Sequence, residues 1–439
     1  MHRGIRGHNV SRCLILLPFL ATGMGAQQTQ PLTPAASAAV SAQGNDVTAR
    51  LLKKIEEMEI SQKRMQDEID TLKGGRLMAP PAVPLPAVAQ APPAEPIQAE
   101  VETPADSHTL GPVEFRGFSD FDYGRAWFEK QPPTGLVGSP HSFNVGDFDL
   151  FTNTRISEHW SVLGEVLVTS DFSNEFSVEM DRLLFSYKPS EYFNFGFGKF
   201  NTALGYYPAA FNRARYFQTA TSRPIMYGDE DNGGILPVHS IGLTSTGKIP
   251  SGVLGLHWIA ELLNGRASAH PDVPVQNFVD EGNGKAVNFA LYAKPLGWRG
   301  FQTGFSVYHD TLHPEGLPTI GENVYTAHAV YVGAKLEFLN EASIVRHTLK
   351  GTSEVYRSLT GYSQLSYAFG KLRPFVRYDY QNVPSSEPLF VNIGRMNGPS
   401  FGINRHVSNY VVLKLQYGRL NQLGHPTAND LQAQLAFAF

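Results

Sequence analysis

The last ten residues, Asp430 to Phe439, alternate strictly, with Leu431, Ala433, Leu435, Phe437 and Phe439 on one face and Gln432 and Gln434 on the other. Period two predicts a β-strand with one face in an apolar medium and the other in water. An apolar, aromatic chain end invites aggregation at the edge of a soluble sheet, but it suits the closing strand of a membrane barrel. Similar runs lie at about 113–129, 142–155, 160–169, 177–188, 192–200, 238–248, 252–264 and 285–295. Others follow at 300–309, 326–338, 342–350, 354–368, 372–381, 399–406, 409–418 and 429–439. The total of about sixteen is even, as a closed bacterial barrel requires.

The connections fall into two classes. Every second one is short: Ser157-Glu158-His159, Pro189-Ser190-Glu191, Pro250-Ser251, Leu296-Gly297-Trp298-Arg299, Asn340-Glu341, Gly370-Lys371 and Val407-Ser408. These are expected as periplasmic turns, and the longer ones, rich in Pro, Gly, Asp and Asn, as extracellular loops. The longest runs from Asn201 to Pro237. A soluble sandwich gives no reason for this rhythm. Tyr187, Tyr192, Phe193, Phe338, Tyr417 and Phe439 fall near strand ends, as an interfacial aromatic girdle would.

The first quarter of the chain has other textures. Arg3, Arg6 and Arg12 precede an apolar run from Leu14 to Leu20 and small residues at Gly23, Gly25 and Ala26, which reads as a signal peptide over 1–26. Residues 27–44 are Gln, Pro, Ala and Ser, a composition that does not fold. Residues 45–74 are expected as a periplasmic coiled-coil helix, with Val47, Ile55, Gln62 and Ile69 at position a and Leu51, Met58, Met65 and Leu72 at d. One chain cannot satisfy that seam, so an oligomer is expected. Residues 75–110, rich in Pro and Ala, form an extended spacer, leaving 111–439 as the barrel.

Composition narrows the function. No run after the signal approaches the roughly 20 apolar residues of a spanning helix. The single cysteine, Cys13, lies within the signal, so the mature chain has no disulfide, cysteine-ligated metal or catalytic thiol. A net charge of -4 gives no reason to expect a nucleic-acid partner.

Parity assigns the lumen. Its inward set includes Arg155, Arg182, Lys188, Lys248, Lys294, Lys335, Arg373, Arg377 and Lys414, with Asp147, Asp149, Glu165, Glu261, Glu337 and Asp379. A wide barrel lined by charges of both signs holds water, and the function that follows is passage of small hydrophilic solutes, anions being one class it could favour. No cofactor or metal is expected. The Asn201–Pro237 connection carries Arg213, Arg215 and Arg223, then Asp229-Glu230-Asp231. Folded into the lumen, it would set a cationic edge against an acidic one and select by charge; left outside, it is a solvated loop. A calcium site at Asp229 and Asp231 lacks the fuller ligand spacing.

The stretch FNFGFGKFNTALGYYPAAFNRARYF, the following Thr221-Ser222-Arg223-Pro224 and the terminal NDLQAQLAFAF resemble the phosphate-selective porin O/P superfamily over about residues 112–439. The preceding coiled coil is similar to that of trimeric dicarboxylate-channel porins. The resemblance implies an all-β fold, a homotrimer of sixteen-stranded antiparallel outer-membrane barrels with the N-terminal segment in the periplasm. Phosphate channels of that family select through an arginine ladder, to which Arg155, Arg182, Arg373 and Arg377 could correspond; the inward acids argue against a purely anionic path. Two alternatives stay open. One is a structural anchor with a periplasmic coiled-coil tether. The other is an outer-membrane hydrolase drawing on His257, His309, His328 or His406, which lack a diagnostic spacing to any serine.

Overall fold

The computed structural model describes residues 108–110, 113–130, 141–170, 176–228, 234–268, 280, 282, 284–391 and 393–439. The signal peptide, the coiled coil with its seam, most of the spacer and the Asp229–Asp231 tract lie outside the described residues.

A short strand, β1 (His108–Leu110), lies within the stretch expected as spacer and pairs with the start of β2 (Val113–Phe128). The wall continues through β3 (Ser142–Arg155), β4 (Trp160–Ser170), β5 (Phe176–Tyr187), β6 (Asn194–Asn201), β7 (His239–Ile249), β8 (Leu256–Leu263) and β9 (Ala286–Ala293). It is completed by β10 (Phe301–Leu312), β11 (Ile320–Val332), β12 (Leu336–Leu349), β13 (Val355–Tyr367), β14 (Leu372–Asn382), β15 (Arg395–His406), β16 (Val411–Gln422) and β17 (Ala428–Ala438). Each of β2 to β17 pairs antiparallel with the next, and β17 pairs back on β2, so sixteen strands close without an edge. The chain end seals the seam: the Phe439 N–H donates to the Gly117 carbonyl at 2.9 Å, and the Gly117 N–H donates back at 2.7 Å. Gly117 is needed there because a Cβ would collide with the Phe439 ring.

Burial inverts the rule for soluble proteins. On β13, Ser358, Thr360, Tyr362, Gln364 and Ser366 are buried while Val355, Leu359, Leu365 and Tyr367 are exposed. Outward apolar and inward polar residues alternate around the wall, the pattern of a transmembrane barrel.

Two connections differ from expectation: the Pro250-Ser251 turn runs on through a 3-10 turn at Gly252–Leu254, so β8 starts at Leu256 and not 252, and the turn before β12 is displaced. The chain turns between β11 and β12 at Gly333, whose N–H donates to the Leu336 carbonyl at 2.9 Å, and not at Asn340-Glu341, which lie inside β12. The polar dipeptide resembles a turn, but the Glu341 carboxylate points into the barrel, where it has donors to meet. The start of β11 accordingly moves back from the expected 326 to Ile320.

Candidate channel constriction

Between β6 and β7 the chain leaves the wall at a neck closed by the Thr202 N–H on the Val238 carbonyl at 2.7 Å. The intervening segment is too apolar for a solvated loop. Leu204, Tyr206, Tyr207, Phe211, Met226, Tyr227, Ile235 and Leu236 are all buried and share one core with inward Tyr308, Leu312, Ile320, Val324, Val330, Leu339 and Val345. Burying them against the inner wall of β10 to β12 draws the segment into the barrel.

Hydrogen bonds then tie it to strands on opposite sides. Glu341 of β12 accepts from the Tyr206 N–H (2.5 Å), the Tyr207 N–H (3.0 Å), the Tyr227 hydroxyl (2.8 Å) and the Tyr362 hydroxyl (2.7 Å). Burial pushes the Tyr227 phenol well above its ordinary pKa, and the adjacent Glu341 adds to the rise, so that hydroxyl stays a donor. The two amide donors open a single-turn helix, α1 (Tyr207–Ala210), with Pro208 in its first turn. Gly205 makes the bend before it at φ 83°, where a Cβ would strike both the Tyr227 hydroxyl and the Glu341 carboxylate.

On the same wall Glu337 accepts from the Thr219 hydroxyl at 3.0 Å, and on β14 Asp379 accepts from the Ile225 N–H at 3.0 Å. Farther round, Gln416 of β16 accepts from the Thr221 N–H at 3.1 Å and Gln432 of β17 from the Thr221 hydroxyl at 2.7 Å. Lys414 donates to the carbonyls of Arg215 and Ala220. On the opposite side, Ala203 donates to Glu261 of β8 at 3.2 Å, and Asn212 donates to Glu165 of β4 at 3.1 Å and Asp181 of β5 at 2.8 Å. Asn212 reaches both carboxylates from a left-handed backbone, φ 37°, which Asn tolerates better than most residues.

The expected site residues separate into three groups. Arg213 pairs with Asp181 at 3.3 Å and Arg215 with Asp147 at 3.7 Å, so both face the inner wall of β3 and β5. That wall also carries Asp120, Asp149 and the Arg182–Glu165 pair, so its carboxylates outnumber its guanidiniums. Across the barrel, Arg377 bonds Asp379 (2.8 Å), the Ser222 carbonyl (2.7 Å) and the Arg223 carbonyl (3.2 Å). Arg223 itself is half-buried in the crossing segment. Arg155 and Arg373 belong elsewhere: they sit at the short-turn rim, on the carbonyls of Glu158 and Ala334. The described wall thus sets its own carboxylates against Arg213 and Arg215.

Glu341, Asn212 and Tyr227 were absent from the expected set. Glu341 was hidden by the misplaced turn; the apolar density of residues 204–236 was the signal for the others. Below α1, a cavity of about 180 Å³ opens among Leu184, Phe200, Ile259, Tyr292, Lys248 and His257.

A closed sixteen-stranded barrel, apolar outside and polar inside, with one long connection folded across its lumen, is the architecture of a porin-type membrane channel. No protein-family model and no curated protein matches the sequence. Solved structures do match in fold. An anion-selective porin from Comamonas acidovorans shares 9% identity over 74% of this chain and 99% of its own, with a TM-score of 0.54. Salmonella typhi OmpF, solved with daunomycin, shares 11% over 75% and 98% at 0.52. The outer-membrane channel DcaP of Acinetobacter baumannii shares 12% over 74% and 97% at 0.50. At such identities the likeness is one of fold.

Proposed function

We propose that the chain is an outer-membrane porin: a water-filled channel for passive diffusion of small hydrophilic solutes, narrowest where residues 202–228 and 234–238 cross the lumen. The observation that carries this reading is the crossing itself, an apolar-cored loop hydrogen-bonded to opposite inner walls of a barrel whose outer face is apolar. Channels of the same fold in other bacteria support it. Arg213, Arg215 and Arg223, with Arg182 and Arg377, set the field at the constriction against Asp149, Glu165 and Asp379. The excess of acid on the β2–β5 side is the reason not to carry over the anion selectivity named for the Comamonas porin.

The protein assembles as a homotrimer through its walls and the coiled coil over 45–74, in the outer membrane with its N-terminal segment periplasmic. Single-channel conductance with reversal potential in a salt gradient tests openness and charge preference together. A barrel that passes no current would favour the anchor reading instead. Deleting residues 43–75 should weaken the oligomer and leave conductance intact; full oligomer stability would refute the coiled-coil assignment. For the hydrolase reading, His257 lies on the Gly255 carbonyl at 2.9 Å, His309 on Asn323 at 3.1 Å and His328 on Gln302 at 3.0 Å.

A further inference from the structure

The outer wall carries a pair of charges that the channel does not use. Arg346 of β12 and Arg357 of β13 are register partners on the outward face, so their side chains leave the wall side by side. The same row runs on through Asn323 of β11 and His309 of β10, whose side chains bond to each other at 3.1 Å. Like charges directly opposite each other destabilise a sheet. Among the described residues neither arginine has an ion pair or hydrogen bond, and Glu354, the acid closest in sequence to Arg357, is held by the Tyr356 phenol at 3.1 Å.

Height explains the placement. The next outward row toward the short turns is Val307, Tyr325, Ile344 and Leu359, all exposed and all apolar or aromatic. From Leu336 to Arg346 the strand climbs roughly 26 Å, at about 3.4 Å per residue and a tilt of about 40°, against an apolar band roughly 25 Å tall. The two arginines thus stand where headgroups begin on the long-loop side. Guanidinium forks take phosphate bidentately, and a phosphate between two of them removes their repulsion while adding charge-assisted hydrogen bonds.

We propose that Arg346 and Arg357, with His309 and Asn323 beside them, form a binding site on the outer wall for the phosphate of an anionic glycolipid of the outer leaflet. The site rests on the outer-membrane reading but not on solute passage. The test uses the full-length protein in detergent, with lipid A bearing both phosphates as probe and the same lipid after dephosphorylation as control. Arg346→Ala/Arg357→Ala should lose at least tenfold in affinity for the phosphorylated lipid and nothing for the control, and added salt should weaken only the wild-type interaction. Chloride conductance and the heat-resistant folded band of the variant should match wild type, because the substitutions leave lumen and ladder intact. Equal affinity of variant and wild type for phosphorylated lipid overturns the site. So does displacement of the lipid by an equal concentration of inorganic phosphate, which would assign a free-anion site. A wild type that retains the lipid but passes no chloride defeats the porin reading and leaves this site standing.

Discussion

Glu341→Ala should release the crossing segment without unfolding the barrel. The substitution removes one carboxylate and leaves three donors, the Tyr206 and Tyr207 amides and the Tyr362 hydroxyl, without their acceptor, while the Tyr227 hydroxyl keeps the Leu204 carbonyl at 3.0 Å. An unsatisfied buried donor costs about 1–3 kcal/mol, and phenols can turn toward water more readily than amides fixed at a helix start. Taking the low end for each gives roughly 3 kcal/mol against the seated segment, a shift of about a hundredfold between seated and released states. Glu341→Gln keeps one acceptor oxygen and turns an NH2 toward donors, so about half that effect is expected. The β11–β12 and β12–β13 ladders use backbone groups alone and are untouched. In planar bilayers the alanine variant should therefore show higher conductance and more open-channel noise, with the glutamine variant between it and wild type. The heat-resistant folded band should keep its melting temperature within a few degrees. Wild-type conductance and noise in both variants would refute the idea that this carboxylate seats the constriction.

Three further outcomes follow from the same geometry. Gly205→Val, at φ 83° and against Tyr227 and Glu341, should reproduce the Glu341→Ala phenotype in bilayer recordings, since strain of about 1–3 kcal/mol adds to the steric conflict. Arg213→Ala/Arg215→Ala/Arg223→Ala should shift the reversal potential toward cations, because the carboxylates of the β3–β5 wall lose their counter-charges; an unchanged potential would return these arginines to a structural role. Deleting Phe439 removes both backbone hydrogen bonds to Gly117 and its ring contact with Phe148, whose centroid lies 5.7 Å away. A loss of about 2 kcal/mol is expected, read as earlier heat-unfolding of the folded band.

Alternation revealed the wall because every strand of a barrel meets two unlike media, and parity registers that difference directly. Strand number and closure followed from the same signal and from the rhythm of short and long connections. Two things escaped it. A polar pair such as Asn340-Glu341 reads as a turn when the inner face is assumed to meet only water, since nothing local distinguishes a carboxylate waiting for a loop from one waiting for solvent. Where a loop points is likewise settled by contacts distant in sequence: Tyr206 and Glu341 meet across 135 positions, and Thr221 and Gln432 across 211. Signal, coiled coil and most of the spacer lie outside the described residues and rest on texture and heptad spacing alone.

The course of the segment was nevertheless written twice in the chain, once in the loop and once in the wall. Inward Ile320, Val324 and Val330 of β11 are apolar positions interspersed with inward Glu322, Thr326 and His328. Inward Leu339, Val345 and Leu349 of β12 likewise alternate with inward Glu337, Glu341 and His347. A water-filled lumen gives no reason for such a stripe, and leaving it wet would cost about 1.5–3 kcal/mol for each large side chain. Apolar surface to cover it has to enter from the connections, and residues 204–236 have the matching composition, joined in the same core by Val383, Leu389 and Phe390. On β2 to β5 the inward positions carry Asp120, Asp147, Asp149 and Glu165, and the part of the segment facing them carries Asn212, Arg213 and Arg215. The segment is thus apolar toward one wall and cationic toward the other, a complementarity that fixes its orientation in the lumen as well as its entry. Exchanging the sign on either side, as in Arg215→Glu or Asp147→Arg, should open the crossing; combining the two should restore wild-type conductance, and failure of that rescue would refute the charge-matched seating.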